Sequence, residues 1–422
     1  MVSMGQKSRF YQYRRRGSQG SSPKMTEIYY DPYDFEIDTD PHPVWRMMRD
    51  EAPLYRNDRY DFWALSRFED VASALTDWRT YSSARGTILE LLRSGAKIPP
   101  GTILFEDPPL HDAHRALLAR VFTPRRIAEI EPQVRAYCAR SLDPLVGSGS
   151  LDFIADLGSQ MPMRVIGMLL GIPEKDQEEL RDNIDAGLSL EGGETGRRNS
   201  ALEAGGQLFP TARFSEYIEW RRKHPSDDLM TELLNARFVD DEGVERTLRD
   251  DELLGYTALL AGAGNETTTR LIGWTGYLLD RFPDQRRLVA EDRSLIPNTI
   301  EEILRYEAPS PVQARYVTRD MELYGTRVPE RSTLLLLNGS ANRDGREFED
   351  PDRLDVRRKN TRHLSFGYGI HFCLGASLAR LEGCVALDEV LSRWPEWQID
   401  HERAAMAHTS TVRGWKSLPA RI

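Results

Sequence analysis

Residues 366–375 read Phe366-Gly367-Tyr368-Gly369-Ile370-His371-Phe372-Cys373-Leu374-Gly375, and a helical pattern begins at once with Ala376-Ser377-Leu378-Ala379-Arg380. A cysteine so placed sits at a helix start, where backbone N–H groups and the positive end of the helix dipole favour the thiolate. Gly367, Gly369 and Gly375 let the backbone turn tightly and approach a flat ligand without Cβ clashes. Phe366 can shield the sulfur from water, and His371 can bond an acidic group of that ligand. A lone cysteine is by default a small buried residue, and that reading applies to Cys138 and Cys384. Cys373 departs from it because its flanks supply what a thiolate metal ligand requires.

Working outward, three further constellations stand in the chain. Asp250–Phe282 carries apolar residues at helical spacing up to Pro283, a helix of roughly 50 Å if unbroken. Within it lies Ala263-Gly264-Asn265-Glu266-Thr267-Thr268, where a helical Gly costs about 1 kcal/mol against Ala and the small, acidic and hydroxyl residues call for a reason. Glu302-Ile303-Leu304-Arg305 places an acid and a base one helical turn apart, alone no more than a surface pair worth a few tenths of a kcal/mol. Asp350-Pro351-Asp352-Arg353 adds a second arginine, and a buried Glu–Arg–Arg network of Glu302, Arg305 and Arg353 pins the loop leading to Cys373 if these three meet.

In this order the segments resemble the cytochrome P450 family. Its haem-ligand signature runs Phe, two residues, Gly, one residue, His or Arg, one residue, Cys, one residue, Gly, and every fixed position matches. The resemblance covers most of residues 30–422. It implies haem b as cofactor, Cys373 as the iron ligand, and Glu266 and Thr267 as the acid and alcohol that relay protons to bound oxygen. Asp107-Pro108-Pro109-Leu110-His111 followed by Arg115 resembles the segment that meets the haem propionates, and Arg315, His363 and His371 fall where further propionate donors are expected; buried carboxylates need such charge-assisted bonds. Ile88, Leu89, Leu259, Ala263, Val312, Ala314, Thr411 and Val412 fall where the family lines its substrate pocket. One departure is Pro329-Glu330-Arg331, where many relatives carry Gly at the third place; a changed turn is expected.

The implied fold is mainly α with small β-sheets, the haem buried between the long central helix and the cysteine-led helix. Leu54–Leu65 reads as a hairpin turning near Asn57-Asp58, Ser83–Pro109 as loop, and Arg315–Val317 and Thr333–Leu337 as strands. Residues 1–24 carry six cations and no acid and read as a disordered basic tail. The remainder, 25–422, reads as one domain. The Gly-rich stretch 186–211 reads as a lid.

A net charge of −10 over 422 residues argues against nucleic acid as the main partner. No run of 18 apolar residues exists, so no membrane anchor is expected. Three cysteines form no disulfide framework and fit a reducing, cytoplasmic setting. The resemblance implies a monooxygenase that uses O₂ and a small apolar substrate, with electrons from NAD(P)H through a ferredoxin reductase and a ferredoxin. The cluster Arg357, Arg358, Lys359 and Arg362 is the candidate surface for that acidic donor. Two alternatives share the fold: a peroxygenase using H₂O₂, which has no need of Glu266 and Thr267, and a non-enzymatic haem sensor or carrier.

Overall fold

The central helix runs Asp250–Arg281, 32 residues, or about 48 Å at 1.5 Å per residue. It is buried on nearly every side, which is why its apolar residues do not form a single stripe. Glu252 closes its first turn, accepting the Arg249 N–H at 2.8 Å and pairing with Arg246 at 2.7 Å. Pro283 ends it: proline disfavours helical geometry at Phe282 before it and starts the next helix, Pro283–Glu291.

The computed structural model describes residues 28–95, 98, 102–120, 122–188, 190, 212–240, 242–359, 362–409 and 412–422. The expected tail, Thr411, and all of the expected lid except 186–188 and 190 lie outside the described residues. Among those described, no helix is long and apolar enough to cross a membrane.

Around the central helix pack Met161–Leu170, a π-helical turn Phe153–Gly158, and the cysteine helix Ala376–Arg393. The cysteine helix also packs on Ile296–Tyr306, which carries Glu302 and Arg305. Gly383 is the point of closest approach: a Cβ there would stand 3.1 Å from Leu271 Cδ2 and 3.3 Å from Ile300 Cγ2. Three helices therefore meet closely there, and their relative positions are set by packing.

The expected hairpin is present as Leu54–Asn57 against Phe62–Leu65, with Leu54 opposite Leu65 and Asn57 opposite Phe62. It forms the edge of a five-stranded sheet continued by Thr333–Leu336, Gln313–Val317 and Tyr81–Ser82. That sheet carries Arg315. The reading of Ser83–Pro109 as loop needs correction, because Leu89–Ser94 is a helix and Ile103–Phe105 a 3₁₀ turn. Leu89 and Leu91 are buried, and this anchoring stabilises a six-residue helix too short to be stable alone.

Candidate active site

A cavity of about 300 Å³ separates the central helix from the cysteine helix. Cys373, Phe366, His371 and Gly375 form one wall, and Ala263, Glu266, Thr267 and Leu259 form the opposite one. Ile88, Arg115, Val312 and Val412 line it as well. Leu89 and Ala314 instead line a smaller adjoining pocket of about 70 Å³, which shares Ile88, Val312 and Val412 with the first.

The cysteine turn is built by its glycines. Gly369 has φ +71°, and a Cβ on it would lie 2.7 Å from the Leu75 carbonyl oxygen, so a larger side chain is excluded by both conformation and contact. Gly375 has an ordinary φ of −83° and needs no special conformation; a Cβ there would meet nothing within 4 Å, because the residue borders the cavity. The Cys373 N–H donates to the Phe366 carbonyl at 2.8 Å. Cys373 is exposed by surface area yet remote from bulk solvent: its surface opens onto the cavity. Burial raises its thiol pKa, opposed by the Gly375 N–H and by Arg115 and Arg380. A bound metal cation would reverse that balance, since a coordinated thiol is deprotonated.

Beside the cysteine turn lies a concentration of basic groups, His111 and Arg315 buried and Arg115 and His371 partly buried. The rings of His111 and His371 meet edge to face at 4.6 Å. The Nε2 atom of each is buried without a hydrogen-bond partner. Burial, with Arg315, His111 and Arg115 adding repulsion, pushes the His371 pKa down to about 2. Desolvation pulls the Arg315 pKa down to about 10 against the attraction of Asp107. That aspartate is already committed to the Ser82 hydroxyl at 2.5 Å and the Ser83 N–H at 3.2 Å. Arg315 itself donates to neutral oxygens, the Ala314 carbonyl at 2.9 Å and Gln313 Oε1 at 3.1 Å. Arg115 donates to the Phe372 carbonyl at 2.5 Å. Uncompensated buried cations and idle donors are costly. An acidic ligand placed among these four residues satisfies them together, so they fit the propionates of a haem, and Cys373 and Gly375 beside them fit its thiolate ligand and its face.

His363 does not join this group. Its Nε2 is 3.2 Å from Glu301, its Nδ1 accepts the Ser365 N–H at 3.3 Å, and Glu301 also takes Arg380 at 2.6 Å. With both ring nitrogens engaged, His363 braces the cysteine helix against Ile296–Tyr306, and its expected role as a propionate donor is corrected.

The Glu–Arg–Arg network also differs from expectation in one member. Arg305 grips Glu302 with two bonds of 2.8 Å, both side chains fully buried. The third member is Arg358, whose Nε donates to Glu302 Oε1 at 3.1 Å. Arg353 contributes only its carbonyl, which accepts from Arg305 at 3.2 Å and from Arg358 at 3.0 Å. Its guanidinium is 65% exposed and 3.9 Å from Asp355. The loop turns at Asp350 (φ 45°) and aims the Arg353 side chain outward. Arg358 is thereby removed from the candidate docking cluster, of which Arg357 and Lys359 are exposed.

On the central helix, Thr267 donates its hydroxyl to the Ala263 carbonyl at 2.9 Å, and the helix is unbroken there. Glu266 takes Arg270 on Oε1 at 2.9 Å, while its Oε2 is buried without a partner. Burial raises the Glu266 pKa to about 7; Arg270 opposes the rise and Asp185 adds to it. Glu382, on the cysteine helix, also lines the cavity and was missed in the sequence. On a helix that also carries Arg380, Asp388, Glu389 and Arg393, a single Glu between Leu381 and Gly383 gives no signal there.

The family model for cytochrome P450 matches residues 212–410. Cytochrome P450 130 of Mycobacterium tuberculosis is 37% identical over 394 residues, covering 90% of this chain and 95% of the relative. The 6-deoxyerythronolide B hydroxylase of Saccharopolyspora erythraea is 35% identical over 419 residues, covering 92% and 98%. Among solved structures, cytochrome P450 CYP109Q5 from Chondromyces apiculatus superposes with a TM-score of 0.81 at 34% identity, covering 93% of this chain and 97% of that one.

Proposed function

The chain belongs to the cytochrome P450 family as a haem b monooxygenase, and from that premise we propose which of its residues do the work and on what. Cys373 holds the iron as thiolate, and His111, Arg115, Arg315 and His371 hold the propionates. When bound, thiolate-ligated haem supplies the activation of dioxygen, with electron density from sulfur favouring O–O cleavage. The protein's own residues bind, orient and protonate. Phe366, buried beside Cys373, keeps water from the sulfur. Thr267 presents its hydroxyl to the cavity. Glu266, with one oxygen on Arg270 and the other idle, holds a proton near neutral pH and passes it towards Thr267.

The substrate is an apolar small molecule of medium to large size that is hydroxylated. Leu259, Leu260, Ile103, Phe105, Ile166 and Val412 supply the apolar walls, and each buried CH₂ contributes about 0.8 kcal/mol to binding. Relatives described as 6-deoxyerythronolide B hydroxylase and vitamin D(3) 25-hydroxylase, and a structural neighbour in complex with testosterone, act on or bind molecules of that kind. Electrons come in the cytoplasm from NAD(P)H through a ferredoxin reductase and a ferredoxin, which docks over Arg357, Lys359 and Arg362.

The observation that carries this reading is the convergence of Cys373, Glu266, Thr267, Arg115 and His371 on one cavity, with His111 packed on His371 and Arg315 close enough to depress its pKa. The test is the carbon-monoxide spectrum of the reduced protein. The strongly red-shifted Soret band of thiolate ligation is expected in the parent, in Cys138→Ala and in Cys384→Ala, and lost in Cys373→Ala. Retention of that band in Cys373→Ala refutes the assignment.

A further inference from the structure

Arg270 carries a guanidinium into the core beside the cavity, its side chain 7% exposed. Nη2 donates to Glu266 Oε1 at 2.9 Å, Nη1 donates to the Trp415 carbonyl at 2.5 Å, and Nε is buried without a hydrogen-bond partner. A buried cation with a single carboxylate partner is a poor device for stability alone. Trp415 belongs to strand Arg413–Ser417, which pairs with Ala405–His408. The same strand is fastened to the central helix one turn further on, where Trp274 Nε1 donates to the Arg413 carbonyl at 3.0 Å. Residues 266, 270 and 274 share one face of that helix. Between the two fastenings lies Gly414, and the stem of Arg270 passes over it: a Cβ there would stand 2.9 Å from Arg270 Cβ and 3.0 Å from its Cδ. Val412, just before the strand, lines the cavity. The Arg413 guanidinium is occupied elsewhere, by Glu307 and by the carbonyls of Asp38 and Thr39. The charged groups that face Glu266 are Arg270 on its own helix and Asp185 on helix Glu174–Leu188, and Glu382 of the cysteine helix lines the same cavity.

We propose that Arg270 is a positioning residue for Glu266, and that strand Arg413–Ser417 holds it in that role through the Trp415 carbonyl and the gap left at Gly414. A backbone carbonyl accepts from a guanidinium whatever the charge of the neighbouring carboxyl. Arg270 therefore stays in place when Glu266 takes up or gives up a proton. Its grip on Oε1 leaves Oε2 as the oxygen that carries the proton. Its charge also governs how tightly that proton is kept. Burial alone favours the neutral acid strongly, and a fixed cation at contact favours release. An acid works best in proton transfer when poised near the operating pH, and the balance of the two effects places Glu266 there. The hairpin that lines the substrate cavity at Val412 thus also sets the acid. The proposal rests on the reading of Glu266 as the proton donor and adds no covalent or electron-transfer step to it.

The test follows the Glu266 proton directly. Infrared spectra of the ferric holoenzyme are recorded from about pH 5 to about pH 9, a range that brackets the titration while ordinary carboxyls are ionised over most of it. The carboxylic C=O band absent from Glu266→Gln identifies the group, and in the parent it is expected to fade as pH rises through about 7. An opposite charge at contact lowers a carboxyl pKa by about 1–3 units. Arg270→Gln is therefore expected to move the midpoint up by about one unit or more, a tenfold change in proton affinity, and Arg270→Lys, which keeps the charge, to move it less. Gly414→Ala, which pushes on the Arg270 stem, is expected to move it up in the parent and to add nothing in the Arg270→Gln background. The pH limb of coupled turnover is expected to shift with the band in each variant. A midpoint unmoved by Arg270→Gln overturns the proposal and leaves the reading of Glu266 standing. A Gly414→Ala variant that leaves the midpoint unmoved, or shifts it equally in both backgrounds, overturns the part given to the strand. A parent without the band, or a turnover limb that stays while the band moves, refutes Glu266 as the donor, and the positioning role falls with it.

Discussion

Replacing Arg358 by alanine is predicted to destabilise the fold strongly, and replacing Arg353 is predicted to matter little. Arg358 donates to Glu302 at 3.1 Å and to the carbonyls of Glu349, Asp350 and Arg353 at 2.5, 3.0 and 3.0 Å. Glu302 is fully buried, while the Arg358 side chain is 13% exposed. Removing one partner of a buried ion pair costs about 3–5 kcal/mol. Here Glu302 keeps Arg305 and the Asp355 N–H at 3.0 Å, which lowers that penalty, while three carbonyls lose a charged donor, which raises it. The balance is about 2–4 kcal/mol. Arg353, exposed and 3.9 Å from Asp355, is worth no more than about 0.5 kcal/mol. Equilibrium urea unfolding followed by tryptophan fluorescence measures both, with haem content after purification as a second readout. Because the loop from Arg353 leads to the cysteine turn, Arg358→Ala is also expected to lose haem. Arg353→Ala costing more than Arg358→Ala would refute the assignment of the network and restore the arginine of the Asp-Pro-x-Arg segment to it.

Thr267→Ala is expected to bind haem and substrate as the parent does yet divert NAD(P)H into hydrogen peroxide; an unchanged ratio of product to NAD(P)H shows that the hydroxyl only packs. Glu266 has a raised pKa of about 7, so it carries its proton below that pH and loses it above. Coupled turnover is therefore expected to fall as pH rises through about 7, and Glu266→Gln to lack that limb of the profile. Electron transfer from a ferredoxin is expected to slow as salt rises, because charges on an exposed surface are screened beyond about 8 Å at physiological ionic strength. Charge reversal at Arg357 and Lys359 slows it in the same way, and a salt-independent rate argues against this docking face.

What was legible in the sequence is what local chemistry dictates. The cysteine turn concentrates a thiolate, three glycines and a helix start into ten residues, and no tertiary information is needed to read it. The central helix announced itself by a long apolar-rich run free of proline that ends at Pro283. The failures share one cause. Arg353 and Arg358 are five residues apart in a loop with a left-handed turn at Asp350, and composition does not say which guanidinium faces inward. His371 lies within the motif and His363 three residues before it, and only the structure shows that Glu301 and Ser365 occupy the ring nitrogens of His363. Glu382 was invisible because a glutamate on a helix is usually solvated, and its burial is decided by three helices meeting at Gly383.

The distribution of buried charge separates what holds this protein together from what it does. Away from the cavity, the buried carboxylates Glu302 and Glu307 are matched by cations. Glu307 meets His42 at 3.0 Å, Arg343 at 2.8 Å and Arg413 at 2.5 Å, and is held well below the usual carboxylate range. Arg221 meets Asp228 at 2.6 Å. Around the cavity the matching is incomplete. His111 and His371 keep idle nitrogens, Arg315 donates to neutral oxygens, and Glu266 and Glu382 each keep an oxygen without a donor. Each such group raises the energy of the folded chain, and a sequence under no other constraint would replace it with an apolar residue at no loss of stability. Their persistence around one cavity fits the proposed roles, in which the bases await an anionic cofactor and Glu266 holds a proton for chemistry at its centre. The same logic makes stability a diagnostic. Glu382→Leu is expected to stabilise the apoprotein by about 1–3 kcal/mol, the desolvation cost of a polar group left unpaired. A loss of stability in urea unfolding marks Glu382 as a packing residue instead.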